Sequence, residues 1–169
     1  RVSLFSSISN FASLTVGSVT GWFKTSITET PILNFGEVAT AQDRFSIALN
    51  NVAEFRFLVR ENSTNLVDLR TTKEYADNNW HFFAVTQNGS SASIYIDGSQ
   101  VTNFTVNTNA GSWFDDITAE NAFAIGRAQR SSTVDDFFNG PIDEVRIYNR
   151  ALSQDEIKRL YKMGATTKI

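Results

Sequence analysis

The stretch Phe138-Asn139-Gly140-Pro141-Ile142-Asp143-Glu144-Val145-Arg146-Ile147-Tyr148-Asn149-Arg150-Ala151-Leu152-Ser153 decides how the rest of the chain is read. Ile142 to Tyr148 is a short alternating segment, the pattern of a half-buried strand. Ser153 can then cap a helix, and Glu156, three residues on, closes a capping box. Ile157, Leu160 and Tyr161 put an apolar stripe at helical spacing, and Gly164 is suited to end the helix in the left-handed conformation. Residues 165–169 read as the start of a linker or tail, so the domain is taken as residues 1–164.

Upstream the same kind of segment recurs, separated by Gly, Asn, Asp and Ser clusters. Val2 to Phe5, Ser13 to Lys24, Phe45 to Leu49, Glu54 to Val59 and Leu66 to Leu69 each read as strands. So do Trp80 to Thr86, Ala92 to Ile96, Val101 to Val106 and Phe123 to Gly126. In Phe55-Arg56-Phe57-Leu58-Val59-Arg60 the odd positions are apolar and two even ones are Arg, so one face is buried and the other wet. Asn88-Gly89 and Asp97-Gly98 supply the positive φ that tight hairpins need, which predicts a three-strand meander from Phe82 to Val106. Many short strands with close turn signals predict an antiparallel sandwich or barrel.

Composition agrees and narrows the function classes. The 169 residues include 14 Phe, 4 Tyr and 3 Trp, side chains that suit a pleated, half-buried surface. A net charge of −3 with scattered Lys and Arg lacks the basic stripe that nucleic acid requires. No apolar run approaches the roughly 20 residues that cross a bilayer, so neither nucleic acid nor membrane insertion is expected. Cysteine is absent, which excludes disulfides and thiolate metal sites. The chain opens at Arg1, as a processed product, an excised domain or a fragment would.

The closing stretch, with Glu156-Ile157 and Leu160-Tyr161, resembles the final motif of laminin-G-like domains of the concanavalin A-like class. Asn79-Trp80-His81-Phe82-Phe83-Ala84-Val85-Thr86, Ile94-Tyr95-Ile96-Asp97-Gly98-Ser99-Gln100-Val101 and Phe123-Ala124-Ile125-Gly126 are similar to further blocks of that family, in its usual order. Ser18-Val19-Thr20-Gly21-Trp22-Phe23-Lys24 fits an earlier strand less closely. The resemblance implies an all-β fold: an antiparallel two-sheet jelly-roll β-sandwich with one short C-terminal helix. Family members usually carry strands ahead of the position where Arg1 stands. The expectation is therefore a domain that is clipped, borrows a strand or does without one.

Glycoside hydrolases of this fold class use two carboxylates beside the scissile bond. No matching pattern occurs here. Asp143 and Glu144 are neighbours on a strand and are expected to point to opposite faces. Asp115-Asp116 and Asp135-Asp136 read as solvated turn pairs, and the single His81 as part of the fold. No enzyme is expected. The first expectation is a carbohydrate-binding or adhesion module of a larger extracellular or cell-surface protein, linked to other domains of its parent, with a glycan or surface protein as partner. A structural interaction module comes second and a glycoside-active enzyme third.

Trp113 and Phe114 lie in a polar, Gly-containing loop, where they either plug the core or stand out as a platform. As a platform they would have Asp115, Asp116, Arg127 and Arg130 as polar neighbours. Structural Ca²⁺ is the one cofactor the resemblance implies, with Asp143 as the ligand it carries over. The alternative for Asp143 is hydrogen bonding to neighbouring amides. Asn62-Ser63-Thr64, Asn88-Gly89-Ser90 and Asn103-Phe104-Thr105 match the N-glycosylation acceptor pattern.

Overall fold

The computed structural model describes residues 2–3, 11–36, 43–118, 122–131 and 134–168. In chain order the first strands are β1 (Val2–Ser3), β2 (Gly17–Phe23), β3 (Thr30–Gly36), β4 (Arg44–Leu49), β5 (Glu54–Glu61), β6 (Thr64–Glu74) and β7 (His81–Gln87). They are followed by β8 (Ala92–Ile96), β9 (Ser99–Gln100), β10 (Phe104–Asn109), β11 (Ala122–Ile125), β12 (Arg127–Ser131), β13 (Val134–Phe137) and β14 (Ile142–Tyr148). Helix α1 (Gln154–Ala165) closes the series. It has 12 residues, and no described helix is long and apolar enough to cross a membrane.

Two antiparallel sheets face each other. One has seven strands in the order β1-β11-β3-β4-β5-β6-β10, the other five in the order β14-β2-β7-β8-β9. Period-two alternation sends Phe45, Ile47, Phe55, Phe57, Val67 and Leu69 inward, and the facing sheet adds Val19, Phe23, Phe83, Val85 and Ile94. These side chains form the main core of a jelly-roll sandwich.

Strands β2 and β7 are buried along their whole length. A strand in a two-layer sandwich would show one wet face, so something must cover the other side. That cover is α1. Trp22, Phe82, Ala84 and Tyr95 point away from the main core and join Leu152 and Ile157 in a second cluster. The Trp22 ring stacks on Tyr161 at 5.7 Å.

The helix begins as expected: Glu156 N donates to Ser153 Oγ, and Ser153 N donates to Glu156 Oε2 at 2.9 Å. Its end differs. Gly164 lies inside the helix, which runs on to Ala165 with Thr166 as its cap. A Cβ on Gly164 would sit 2.5 Å from Trp22 Nε1, so this glycine permits close approach and does not serve as a left-handed terminator. Residues 165–168 also remain with the fold, because Lys168 lies over the Trp80 ring at 5.1 Å and bonds Asp143.

The meander is shorter than expected. Asp97 and Gly98 turn the chain with positive φ, but the strand that follows is only β9. The Val101–Val106 segment does not extend that sheet; β10 crosses to the other one and pairs with β6. Strand β14 carries a bulge at Glu144, whose φ is +50°. The bulge re-phases the strand, so that Ile142 on one side and Val145 and Ile147 on the other all pack on the main core.

Replacing a helix-interior Gly by Ala ordinarily stabilises by about 1 kcal/mol. Gly164→Ala is expected to do the opposite here, lowering unfolding free energy by about 1 to 3 kcal/mol in urea titration through overpacking on Trp22. A neutral or stabilising effect would contradict the helix–Trp22 contact.

Candidate functional site

The aromatic pair expected as a platform is not on the surface. Trp113 and Phe114 are each 0% exposed. Trp113 meets the Phe45 ring edge-on at 4.9 Å, and Phe114 stacks on the same ring at 4.2 Å. Room for the indole comes from Gly17, where a Cβ would lie 2.6 Å from Trp113 Nε1. Burying two such rings removes far more apolar surface from water than a loop platform would. The pair plugs the core.

The polar residues grouped with them serve other ends. Asp116 accepts a hydrogen bond from Trp113 N at 2.9 Å and so holds the start of the 3-10 turn Phe114–Asp116. Asp115 is exposed, and desolvation together with the adjacent Asp116 pushes its carboxyl up. Arg127 lies in β12 opposite Phe137. Arg130 lies in the same strand, but its side chain falls outside the described residues.

Asp143 is exposed and already engaged. It accepts from Glu144 N at 2.8 Å and from Lys168 Nζ, an ammonium that also stands 3.7 Å from Glu144 Oε1. That bond to Lys168 holds the Asp143 carboxyl below its usual range. The bulge therefore brings Asp143 and Glu144 to one cation, which simple strand alternation would not allow. An ammonium seated there does not fit a divalent-ion cage. Among the described residues, no group of three or more His, Cys, Asp or Glu side chains is placed to hold a metal ion.

His81 is 5% exposed and clamped at both nitrogens. Nδ1 lies 2.9 Å from Asp97 Oδ2, and Nε2 lies 3.0 Å from Asp77 Oδ1. Burial works against the charged ring, but the two carboxylates prevail and raise its pKa. The ring ties the loop before β7 to the β8–β9 turn.

An open concavity lies elsewhere, on the outer face of the seven-stranded sheet. It is a groove of about 340 Å³, lined by Arg44, Ser46 and Ala48 of β4, Arg56 and Leu58 of β5 and Arg70 of β6. Glu29 and the hairpin residues Ala128 and Asp136 bound it. These strand residues point to the side opposite the buried phenylalanines; all are partly exposed except Leu58, which is buried.

Asp68 organises this face. Its Oδ1 accepts from Arg56 Nε at 2.8 Å and Arg70 Nε at 3.0 Å. Its Oδ2 accepts from Arg56 Nη2 at 2.8 Å, Arg70 Nη2 at 2.7 Å and Asn65 Nδ2 at 3.1 Å. Burial alone would raise this carboxyl; the two guanidiniums outweigh it and bring it down to about 2. Each guanidinium spends Nε and one Nη2 proton on Asp68, which leaves the Nη1 protons for other acceptors.

Sequence reasoning read Arg56 and Arg60 as a wet face but assigned them no role. The available signal was the neighbouring Asp68-Leu69-Arg70, another alternating strand with charge on its wet side. That it lies beside Arg56 depends on the pairing of β5 with β6.

Residues 4–158 match the laminin G type family model of the concanavalin A-like lectin/glucanases superfamily. No curated protein matches the chain. Among solved structures, the CBM40 of the Ruminococcus gnavus IT-sialidase superposes with a TM-score of 0.74 at 18% identity, covering 90% of this chain and 86% of that one. The same module has been solved bound to alpha2,3 sialyllactose. Domain 4 of AbnA, a GH43 extracellular arabinanase from Geobacillus stearothermophilus, in complex with arabinotriose, gives 0.63 at 24% identity, over 87% of this chain and 66% of that one. The leech intramolecular trans-sialidase gives 0.74 at 19% identity, over 94% of this chain but 25% of that one. At these identities the likeness is one of fold.

Trp113→Ala is expected to cost about 3 to 5 kcal/mol in chemical denaturation, as for a large aromatic removed from a core. A fully stable variant would show that the ring is not the plug described. His81 has a folded-state pKa above its unfolded value of about 6.5. Its contribution is therefore complete below that pH and declines as pH rises through the raised value. The melting temperature should fall over that alkaline interval in the native protein and stay flatter in His81→Gln; parallel profiles would remove His81 as the cause.

Proposed function

Because the chain belongs to the concanavalin A-like lectin/glucanases superfamily, we propose that it is a non-catalytic glycan-binding module of a larger secreted or cell-surface protein. Its ligand lies in the groove on the outer face of the seven-stranded sheet. The observation that carries this reading is the groove itself: an open concavity lined by guanidinium, hydroxyl and carboxylate groups on rigid strands. Hydroxyl-rich ligands need donors and acceptors held in place, and strands hold them better than loops do. Neighbours of the same fold solved with sialyllactose and arabinotriose support a sugar as the ligand class.

The chemistry supports binding over hydrolysis. A glycosidase acid must hold its proton near neutral pH, in an environment that raises its pKa. Asp68 is driven the other way, to about 2, and its oxygens are committed to arginine. His81 has both ring nitrogens engaged by carboxylates away from the groove.

A glycan array probed with the domain tests the reading, with Ala48→Trp as the groove-filling variant. Ala48 is partly exposed on the outer side of β4, so an indole there occupies the groove and leaves the core untouched. Sugar binding by the native domain, lost in a folded Ala48→Trp variant, is the expected result. Equal retention by both proteins would move the site elsewhere, and an array without any bound glycan would reject the reading.

A further inference from the structure

The register of the seven-stranded sheet places arginine directly opposite arginine twice on its outer face. Arg44 pairs with Arg60 across β4 and β5, and Arg56 pairs with Arg70 across β5 and β6. Like charges facing each other on adjacent strands destabilise a sheet. Asp68 neutralises one charge of the second pair and holds both of its guanidiniums. Arg60 Nε is buried with no hydrogen-bond partner. Within the second pair, two guanidiniums share the single carboxylate of Asp68, so the cluster they form keeps a net positive charge.

We infer that the glycan taken by this groove carries an anionic group, a carboxylate or a sulfate ester, which bridges Arg56 and Arg70. The inference rests on the glycan-binding reading above. A guanidinium presents a planar fork of donors, and the acceptor that matches a fork is a planar or tetrahedral oxyanion; a single hydroxyl takes only one of the bonds. Asp68 holds both forks by their Nε edges, so the remaining N–H groups are in place before the ligand arrives. Ser46 and Asn51, which also line the groove, meet the hydroxyls of the rest of the sugar. An anionic polyol satisfies both sets, whereas a neutral sugar leaves the arginines without an oxyanion. Asp68 is a positioning residue in this scheme.

The test is calorimetric titration of the domain with alpha2,3 sialyllactose, with lactose as its uncharged counterpart and sulfated lactose as the third arm. One charged sugar should bind at least about tenfold more tightly than lactose, and its affinity should fall between 50 and 500 mM salt, as screening demands. Preference for the sialylated arm identifies a carboxylate; preference for the sulfated arm identifies a sulfate ester. Arg56→Gln and Arg70→Gln should each reduce that affinity about tenfold or more, and Arg150→Gln, away from the groove, should leave it unchanged. The salt series uses the native protein, so it stands even where a variant folds poorly. Equal affinity for lactose and both charged sugars, or no salt dependence, would overturn the anionic assignment and leave glycan binding intact. No sugar binding in any arm, together with an empty glycan array, would overturn both.

Discussion

Strands β2 and β7 are buried on both faces, and the architecture follows from that constraint. Their inner side is met by the phenylalanine-rich layer of the seven-stranded sheet. Their outer side carries Trp22 and Phe82, which no second sheet covers. The chain answers with a helix at its C-terminal end, started by the Ser153–Glu156 box and held by Arg150 to Glu156 at 2.7 Å and 2.9 Å. Gly164 lets that helix approach the indole, and Lys168 lies over Trp80 beyond it. The helix belongs to the packing of the sandwich and is not an appendage to it.

The seven-stranded sheet has the opposite economy. Its inner face takes Phe35, Phe45, Phe55 and Phe57, and among the described residues no helix lies on its outer face. With water on that side, strand positions facing outward are free to be polar. Uncovered sheets usually mix charges across strands; here arginine faces arginine at two places, and a single buried aspartate holds the Arg56–Arg70 pair. The groove, the arginine register and the Asp68 clamp share one setting: a face that, among the described residues, carries no helix and is only bounded by the β12–β13 hairpin.

Sequence patterns gave good access to whatever is local. The strand β14, the capping box, the Asn88-Gly89 and Asp97-Gly98 turns and the inward phase of β4 and β5 could all be read from neighbouring residues. Strand β3 was hidden because Pro31, Asn34 and Gly36 resemble a turn and because nearly every residue of it is buried, which erases alternation. Strands β12 and β13 were hidden because Arg127 to Ser131 and Val134 to Phe137 carry few apolar residues. The meander was overextended at β10 because a turn dipeptide specifies only its own hairpin, not the sheet that a strand joins three residues later. The platform expected at Trp113 failed for a related reason: a polar loop does not reveal that Gly17, distant in sequence, has left a slot for the ring.

From the sequence alone came the all-β class and the closing strand and helix, which rest on short-range periodicity, caps and turn residues, and the family resemblance, which rests on matching motifs. Tertiary structure alone decided which strand lies beside which. It thereby decided that Arg56 meets Arg70 over Asp68, that Trp113 is enclosed, and that a groove exists on the side without a helix. The physical reason is that alternation assigns a side chain to a face, whereas only strand order and register assign it a neighbour.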